Sequence, residues 1–396
     1  MKLSIITPTH DPRYLPDLEA SIMANGYTDW EWVILLNGGA QYQSADERVK
    51  IVECPFVSDH VGALKREACR HATGEVIVEA DHDDQLTGDC LSTIAEVFRD
   101  PTVGFAYSDC AHLGEFTAYN PALGWEHYPF EWQGQTLKAM RSQPLYPGRL
   151  ANIAFAPDHV RAWRKSVYDE VGGHDAAYPV CDDQDLICRL FLATKFTYIP
   201  RVLYIYRESD GQTYRQRQKV IEDLNWMTYD RYIYRVASRW AEKQNLLKID
   251  LCQTHQRKVL GFVAVNRTDS DIITDFERGI PVPRGSVGVI RAHDALNRFP
   301  SQMKIMAEIH RVLAPGGLLL SMTPSTEGRG AWQSPASRSY WNENSFWYFT
   351  REKYMREIDN PVVHFRECRL VTRYPDEMHE RTCQPYTVAH LEKIPL

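Results

Sequence analysis

Long apolar runs are missing from this chain. No stretch approaches the ~20 consecutive apolar residues that a membrane helix needs, so no membrane span is expected. The opening MKLSIITPTHDP enters a short apolar strand at once and then meets Pro and Asp. It lacks the apolar core of a signal peptide, so none is expected. The nine cysteines are scattered and contain no C-x-x-C pair. Such usage suits reduced thiols rather than a disulfide framework. The expected location is the cytoplasm, or the host cytoplasm for a viral protein. Basic charge is not in excess: the net charge of −7 excludes a global field that would draw in nucleic acid. A local basic stretch around Arg215, Arg217 and Lys219 keeps that partner open. Internal repeats and low-complexity tracts are absent.

What remains is ordinary globular composition over 396 residues, enough for two domains with separate cores. Tyr and Trp are plentiful, a lean toward binding sugars or bases. LSIITP, EWVILL and EVIVEA read as buried parallel strands. Between them, LPDLEASIMANG and VGALKREACRHATG read as helices closed by glycine. This alternation predicts an α/β nucleotide-binding half with ligand loops at the strand C-termini. CLSTIAEVFRD continues as a helix and VGFAYSD as a strand, and 112–150 reads as irregular. HVRAWRKSVYDEVGG and DDQDLICRLFLA read as helices, and FTYIPRVLYIYR as strands broken at Pro200. Residues 215–247 lack Pro and Gly and predict one or two linking helices. A second α/β pattern starts at KIDLCQ. The expected domains are therefore 1–214, a helical linker 215–247, and 248–396.

The sharpest local feature is VIVEADHDDQL (76–86), where four acids crowd the end of a strand. Two carboxylates one residue apart after a parallel strand can hold a divalent cation against a diphosphate leaving group. Asp81-His82-Asp83 has that spacing. Alone, the tripeptide fits a solvated turn better, because turns favour Asp.

Its surroundings change the reading. The motifs TPTHD, LLNGG, GALKREACRHATGEVIVEADHDDQL, RKSVYDEVGGHD and DDQDLICRL occur in this order over residues 3 to about 210. Together they resemble glycosyltransferase family 2, of the GT-A fold. The resemblance implies that Pro8, Thr9 and His10 line a uracil pocket. It places Asn37 near the family's base-reading Asp, and an Asn can still hydrogen-bond a pyrimidine edge. Lys65 would meet the nucleotide's phosphates or base, and Asp81 the ribose or the metal. Asp83 would ligate Mg²⁺ or Mn²⁺. His82 is read as structural or sugar-facing. The family's E-D pair falls on Asp182 and Asp183, with Asp183 as the base that takes the acceptor's proton. Adjacent carboxylates are expected to raise each other's pKa. Acids also suit a helix N-terminus, so capping is a parallel role for both. Where many members carry a metal-binding His near the domain's end, this chain has Ser209, flanked by Glu208 and Asp210.

In the second half, GIPVPRGSVGVIRAHDALNRF and EIHRVLAPGGLLLSMTPS resemble class I S-adenosylmethionine-dependent methyltransferases. That fold needs a glycine-rich first turn and an acid after the second strand. Here the turn reads DLCQTHQRK, the second strand ends in Asn266, and Gly288 stands where the family often has Asp. A degenerate domain without S-adenosylmethionine is expected, serving acceptor binding, dimerisation or support. The cluster WNENSFWYFT is either core or binding surface.

The expected function is an inverting, metal-dependent transfer from a UDP-sugar to a hydroxyl. The acceptor is a glycan, or alternatively a modified DNA base. Two rival readings stay open: a methyltransferase with a glycosyltransferase-like substrate module, and a non-catalytic sugar- or nucleic-acid-binding protein.

Overall fold

A computed structural model describes residues 1–114, 124–152, 157–208, 217–251, 259–266, 271–274, 279–358 and 363–394. Ser209, Asp210, Arg215, the turn 252–258 and the side chain of Asn266 lie outside the described residues. The chain divides into two compact units, Met1–Leu145 with Arg149–Tyr232, and Tyr146–Gly148 with Ile233–Leu396. No separate linker stands between them in sequence. The helix Gln218–Lys243 fills most of 215–247, and the division falls within it. Its side chains explain this, because Tyr232 donates to Asp185 of the first unit, whereas Tyr234 bonds His293 of the second.

The first unit holds strands β1 (Leu3–Thr9), β2 (Trp30–Leu36), β3 (Val49–Glu53), β4 (Val76–Glu79), β5 (Gln85–Leu86), β6 (Val103–Leu113), β7 (His127–Trp132), β8 (Gln135–Met140), β9 (Arg161–Arg164) and β10 (Lys195–Arg207). The sheet order is β3-β2-β1-β4-β9-β6-β10-β5, with β8 bridging β6 to β7. β1, β2 and β4 are fully or nearly buried runs, as parallel strands covered on both faces must be. Because β2 lies on one side of β1 and β4 on the other, the chain reverses direction across the sheet there. Such a switch point opens a crevice at the strand C-termini.

Two elements depart from the expected pattern. RAWR (161–164) is an antiparallel strand between β4 and β6, and the helix begins only at Lys165. Within 112–150, β7 and β8 form a hairpin through Gln133 and Gly134, whose φ angles are 47° and 78°. Two consecutive left-handed residues make the type I′ turn that suits a two-residue hairpin. Tyr128, Phe130 and Trp132 alternate along β7 and pack on Ala111, Leu137 and Val202. Pro200 sits where β10 slips register against β6 rather than ending the strand.

The second unit holds β11 (Leu247–Leu251), β12 (Val263–Asn266), β13 (Ile272–Ile273), β14 (Val287–His293), β15 (Leu313–Pro324), β16 (Phe365–Arg373) and β17 (Tyr386–Lys393), ordered β13-β12-β11-β14-β15-β17-β16. Again a central strand, β11, has its successors on both sides. Gly288 has a packing reason: a Cβ there would stand 2.6 Å from that of Ala241 in the long helix. Trp341, Phe346 and Phe349 of the aromatic cluster are core, whereas Tyr340 is exposed and stacks on Trp332 at 4.4 Å.

Candidate active site

The acidic turn follows β4 at the switch point. Backbone bonds fix its entry: Ala80 N–H donates to Ile6 and Thr7 Oγ1 donates to the Ala80 carbonyl. The end of β10 holds the rest. The Tyr204 hydroxyl accepts from Asp81 N–H at 2.9 Å and donates to Asp84 Oδ2 at 2.7 Å. Arg207 donates its N–H to Asp84 Oδ1 and its Nε–H to the Asp83 carbonyl. Asp84 is thereby buried and fully committed to holding the turn.

Asp81 and Asp83 differ from it. Both are half-buried, and among the described residues no ion pair and no hydrogen bond from another residue reaches either carboxylate. Burial lifts Asp83 above its ordinary pKa; the pull of His82 opposes this and the charge of Asp81 adds to it. No set of three or more His, Cys, Asp or Glu converges on a metal position among the described residues. Two unpaired carboxylates fit a divalent cation that takes its other ligands from a diphosphate, the usual habit of Mg²⁺. They do not fit an all-protein cage.

The other expected nucleotide residues line up along the same edge. Pro8 and Thr9 end β1 and His10 follows it, and Asn37 follows β2, its N–H donating to the Thr9 carbonyl. Thr9 is buried and its hydroxyl bonds to Asp11, while His10 is exposed, with its ring 5.5 Å from that of His82. The Asn37 amide turns onto the backbone of Ser58, donating to its carbonyl at 2.8 Å.

Lys65 departs from expectation. It is buried, and its ammonium donates to Glu79 on β4 instead of standing free for a phosphate. The reason is local: the helix Val61–His71 packs its buried face on β1 and β2, and Glu79 is an acid inside the sheet needing a cation. Glu79 also faces Arg161, its cross-strand partner on β9, at 3.8 Å. Burial works to raise Glu79, and Lys65 and Arg161 outweigh it and hold the group ionised.

Asp182 and Asp183 open the helix Asp182–Ala193, after Cys181 in a left-handed conformation at φ 61°. The expected mutual raising of the two carboxylates holds for Asp182 and fails for Asp183. Burial lifts Asp182 to about 7, and among the described residues its Oδ2 has only the buried His174 ring, at 3.5 Å. Burial also works to raise Asp183, but Arg161 and Lys65 prevail and hold it below its ordinary value. Arg161 Nη1 donates to Asp183 Oδ2 at 2.7 Å. Asp183 is half-buried, whereas Asp182 is closed off. Arg161, Tyr204 and Arg207 escaped the sequence reading. Arg161 was hidden in a segment that reads as helix, and only its place in a strand between two acids reveals it. Glu208 is engaged by His112 at 2.8 Å, and Arg217 by Asp59.

In the second unit the matching switch point lies between β11 and β14. An ion pair spans it: Arg291 donates to Asp250 Oδ1 at 2.8 Å, and the two residues are register partners. Arg291 also bonds His293, which bonds Tyr234. The first-strand turn 252–258, where the glycines for S-adenosylmethionine are expected, lies outside the described residues, and the Arg291–Asp250 pair stands as a cross-strand bond alone.

Residues 4–172 match the family model described as glycosyl transferase family 2, and residues 235–321 match a methyltransferase domain model. The chain is 23% identical over 228 residues to the O-antigen biosynthesis protein RfbC of Myxococcus xanthus, covering 53% of this chain and 16% of that protein. It thus spans about a sixth of that relative. Among solved structures, S. aureus TarS residues 1–349 align with a TM-score of 0.42 at 15% identity, covering 62% of this chain and 71% of that one. The same TarS portion in complex with UDP-GlcNAc gives 0.44 at 13% identity, over 62% and 72%. The mannosyltransferase PcManGT from Pyrobaculum calidifontis, in complex with GDP-Man and Mn²⁺, gives 0.39 at 15% identity, over 57% and 62%.

Proposed function

We propose that this chain, which joins a family 2 glycosyltransferase domain to a methyltransferase-type domain, moves a sugar from a UDP-sugar to an acceptor hydroxyl with inversion. One observation carries the reading. At the switch point, no hydrogen bond or ion pair from another described residue reaches the Asp81 and Asp83 carboxylates, while Glu79, Asp84 and Asp183 are paired. Pro8, Thr9, His10 and Asn37 frame the uridine side of the same edge. Asp81 and Asp83 would hold Mn²⁺ or Mg²⁺, which when bound supplies positive charge against the departing diphosphate. Asp183 takes the proton as the acceptor oxygen bonds the anomeric carbon and the sugar–phosphate bond breaks, its electron pair leaving on the diphosphate. Lys65 acts one step removed, through Glu79.

A glycan is the proposed acceptor, since the Myxococcus relative is named for O-antigen biosynthesis; a modified DNA base is the alternative. The second unit serves acceptor binding, dimerisation or support rather than methylation. Among the described residues, no helix is long and apolar enough to cross a membrane; a cytoplasmic site of action is part of this proposal. The test is UDP release from a panel of UDP-sugars with Mn²⁺. Slow turnover is expected, lost in Asp83→Ala. Turnover indifferent both to Mn²⁺ and to Asp83→Ala would reject the metal assignment.

A further inference from the structure

Lys65, Glu79, Arg161 and Asp183 form a ladder of alternating charge through the interior of the first unit. Lys65 Nζ donates to one Glu79 oxygen, and the other lies 3.8 Å from Arg161 Nη1. The same Nη1 donates to Asp183 Oδ2 at 2.7 Å, and Arg161 Nε donates to the Pro157 carbonyl. Each member comes from a different element: the helix Val61–His71, β4, β9 and the helix Asp182–Ala193. Only the last has an open side. Side-chain exposure is 9% at Lys65, 2% at Glu79, 10% at Arg161 and 19% at Asp183.

A buried ion pair is weak evidence of a stability role, because apolar side chains of similar volume often do as well. Four consecutive charges leading to one accessible carboxylate need another account. The two Asp183 oxygens each accept one bond, from Arg161 and from the Gln184 N–H at 2.8 Å. A carboxylate has about four acceptor positions, so two stay open in a fixed direction.

We propose that Arg161 is a positioning residue for Asp183, holding the carboxylate ionised and aimed so that it can take a proton. This rests on the reading of Asp183 as the base. The ladder also suits the step that follows. When Asp183 becomes protonated its bond from Arg161 weakens, and the guanidinium keeps Glu79 as a counter-charge. Neither protonation state leaves a buried cation alone. The groups facing Asp183 are Arg161 from β9, Lys65 from the helix Val61–His71, Glu79 from β4, Asp182 on its own helix and the buried His174.

The test follows the Asp183 carboxyl directly, by NMR titration of the full chain labelled at aspartate Cγ. Its signal is assigned by its loss in Asp183→Asn. Arg161→Gln is expected to raise the Asp183 midpoint by at least one pH unit, and Arg161→Lys by less in the same direction. Glu79→Gln frees Arg161 for Asp183 and is expected to move the midpoint down. A mere structural prop does not give opposite shifts. With UDP-glucose, UDP-galactose or UDP-N-acetylglucosamine as probe, the acid limb of kcat in Arg161→Gln should follow the NMR shift, with KM unchanged within twofold. An Asp183 midpoint unmoved in both Arg161 variants overturns the proposal, as does a KM rise that accounts for the lost activity. The base reading fails separately: turnover retained in Asp183→Asn sinks it, whatever the midpoint does.

Discussion

Replacing Lys65 by Met separates an internal counter-ion from a phosphate ligand. The side chain is 9% exposed and Glu79 is 2% exposed, so the variant leaves a carboxylate inside the sheet without its closest cation. Removing one partner of such a pair costs roughly 3–5 kcal/mol. Arg161 stands 3.8 Å from the other Glu79 oxygen and offsets part of the loss. Its guanidinium is already shared with Asp183, so the offset is incomplete, and about 3 kcal/mol is expected. For a unit of this size that lowers the midpoint of thermal unfolding by about 6–12 °C. The sign with pH is fixed by Glu79, which the wild-type fold holds below its ordinary pKa. Its contribution is full above the ordinary carboxylate range, begins to fall within it and is lost only below it, through the group's lowered folded pKa. The difference between Lys65→Met and wild type should therefore be large at pH 7.5 and shrink toward pH 4. Calorimetric scans of the full chain measure this, with UDP and Mn²⁺ titrations at 15 °C, where both forms are folded. UDP affinity should change less than threefold. A phosphate ligand would behave oppositely, because losing a charge-assisted hydrogen bond costs roughly 1.5–3 kcal/mol of binding. Stability unchanged with UDP affinity tenfold weaker would refute the internal pairing.

Tyr204→Phe removes the one hydroxyl that joins Asp81 N–H to Asp84, and Mn²⁺ affinity in the presence of UDP, read by electron paramagnetic resonance, should fall about tenfold, a loss of ~1.4 kcal/mol; unchanged affinity would mean the turn holds without it. Asp182, lifted by burial to about 7, binds its proton more tightly folded than unfolded, so its contribution is full below about pH 4 and lost as pH rises through 7. Asp182→Asn should then gain thermal stability over wild type between pH 5 and pH 8.5, and parallel pH profiles would contradict this. Calorimetry with S-adenosylmethionine should give no heat at concentrations up to about 1 mM, a ΔG weaker than ~4 kcal/mol, and micromolar binding would mean that the Arg291–Asp250 pair opens.

The parallel strands were readable because burial on both faces leaves an unbroken apolar run, as in WVILL and VIV. The strand β9 was not, because RAWR carries charge at both ends. Arg161 points its charge into the sheet to meet Glu79 and Asp183, and a lone sequence shows a charge without its destination. The β7–β8 hairpin left a trace in the alternation of Tyr128, Phe130 and Trp132 before Gln133-Gly134, but Gln at the first turn position is not the usual signal. Lys65 illustrates the same limit within the site. The family resemblance implies a nucleotide contact for it, and only the fold, bringing residue 79 alongside residue 65, assigns it inward.

Partnership, not position, divides the acids of the first unit. Glu79 belongs to Lys65 and Arg161, Asp84 to Tyr204 and Arg207, and Asp185 to Tyr232 and Arg189. A half-buried carboxylate beside another is a cost to the folded chain, because like charges repel and water is partly excluded. The fold offsets that cost at Glu79, Asp84 and Asp185 with donors drawn from up to 123 residues away, as between Arg207 and Asp84. It supplies no such donor to Asp81 or Asp83, although Arg207 reaches the Asp83 carbonyl with its Nε–H. The Arg207 guanidinium bonds the backbone of that residue and reaches on to Asp17, and on the proposed reading the two carboxylates are left for a cation that arrives with the substrate. His82 and Arg207 pull Asp83 down, yet burial and Asp81 prevail and raise it, and the proposed ligand site accounts for such a pair better than a solvated turn does.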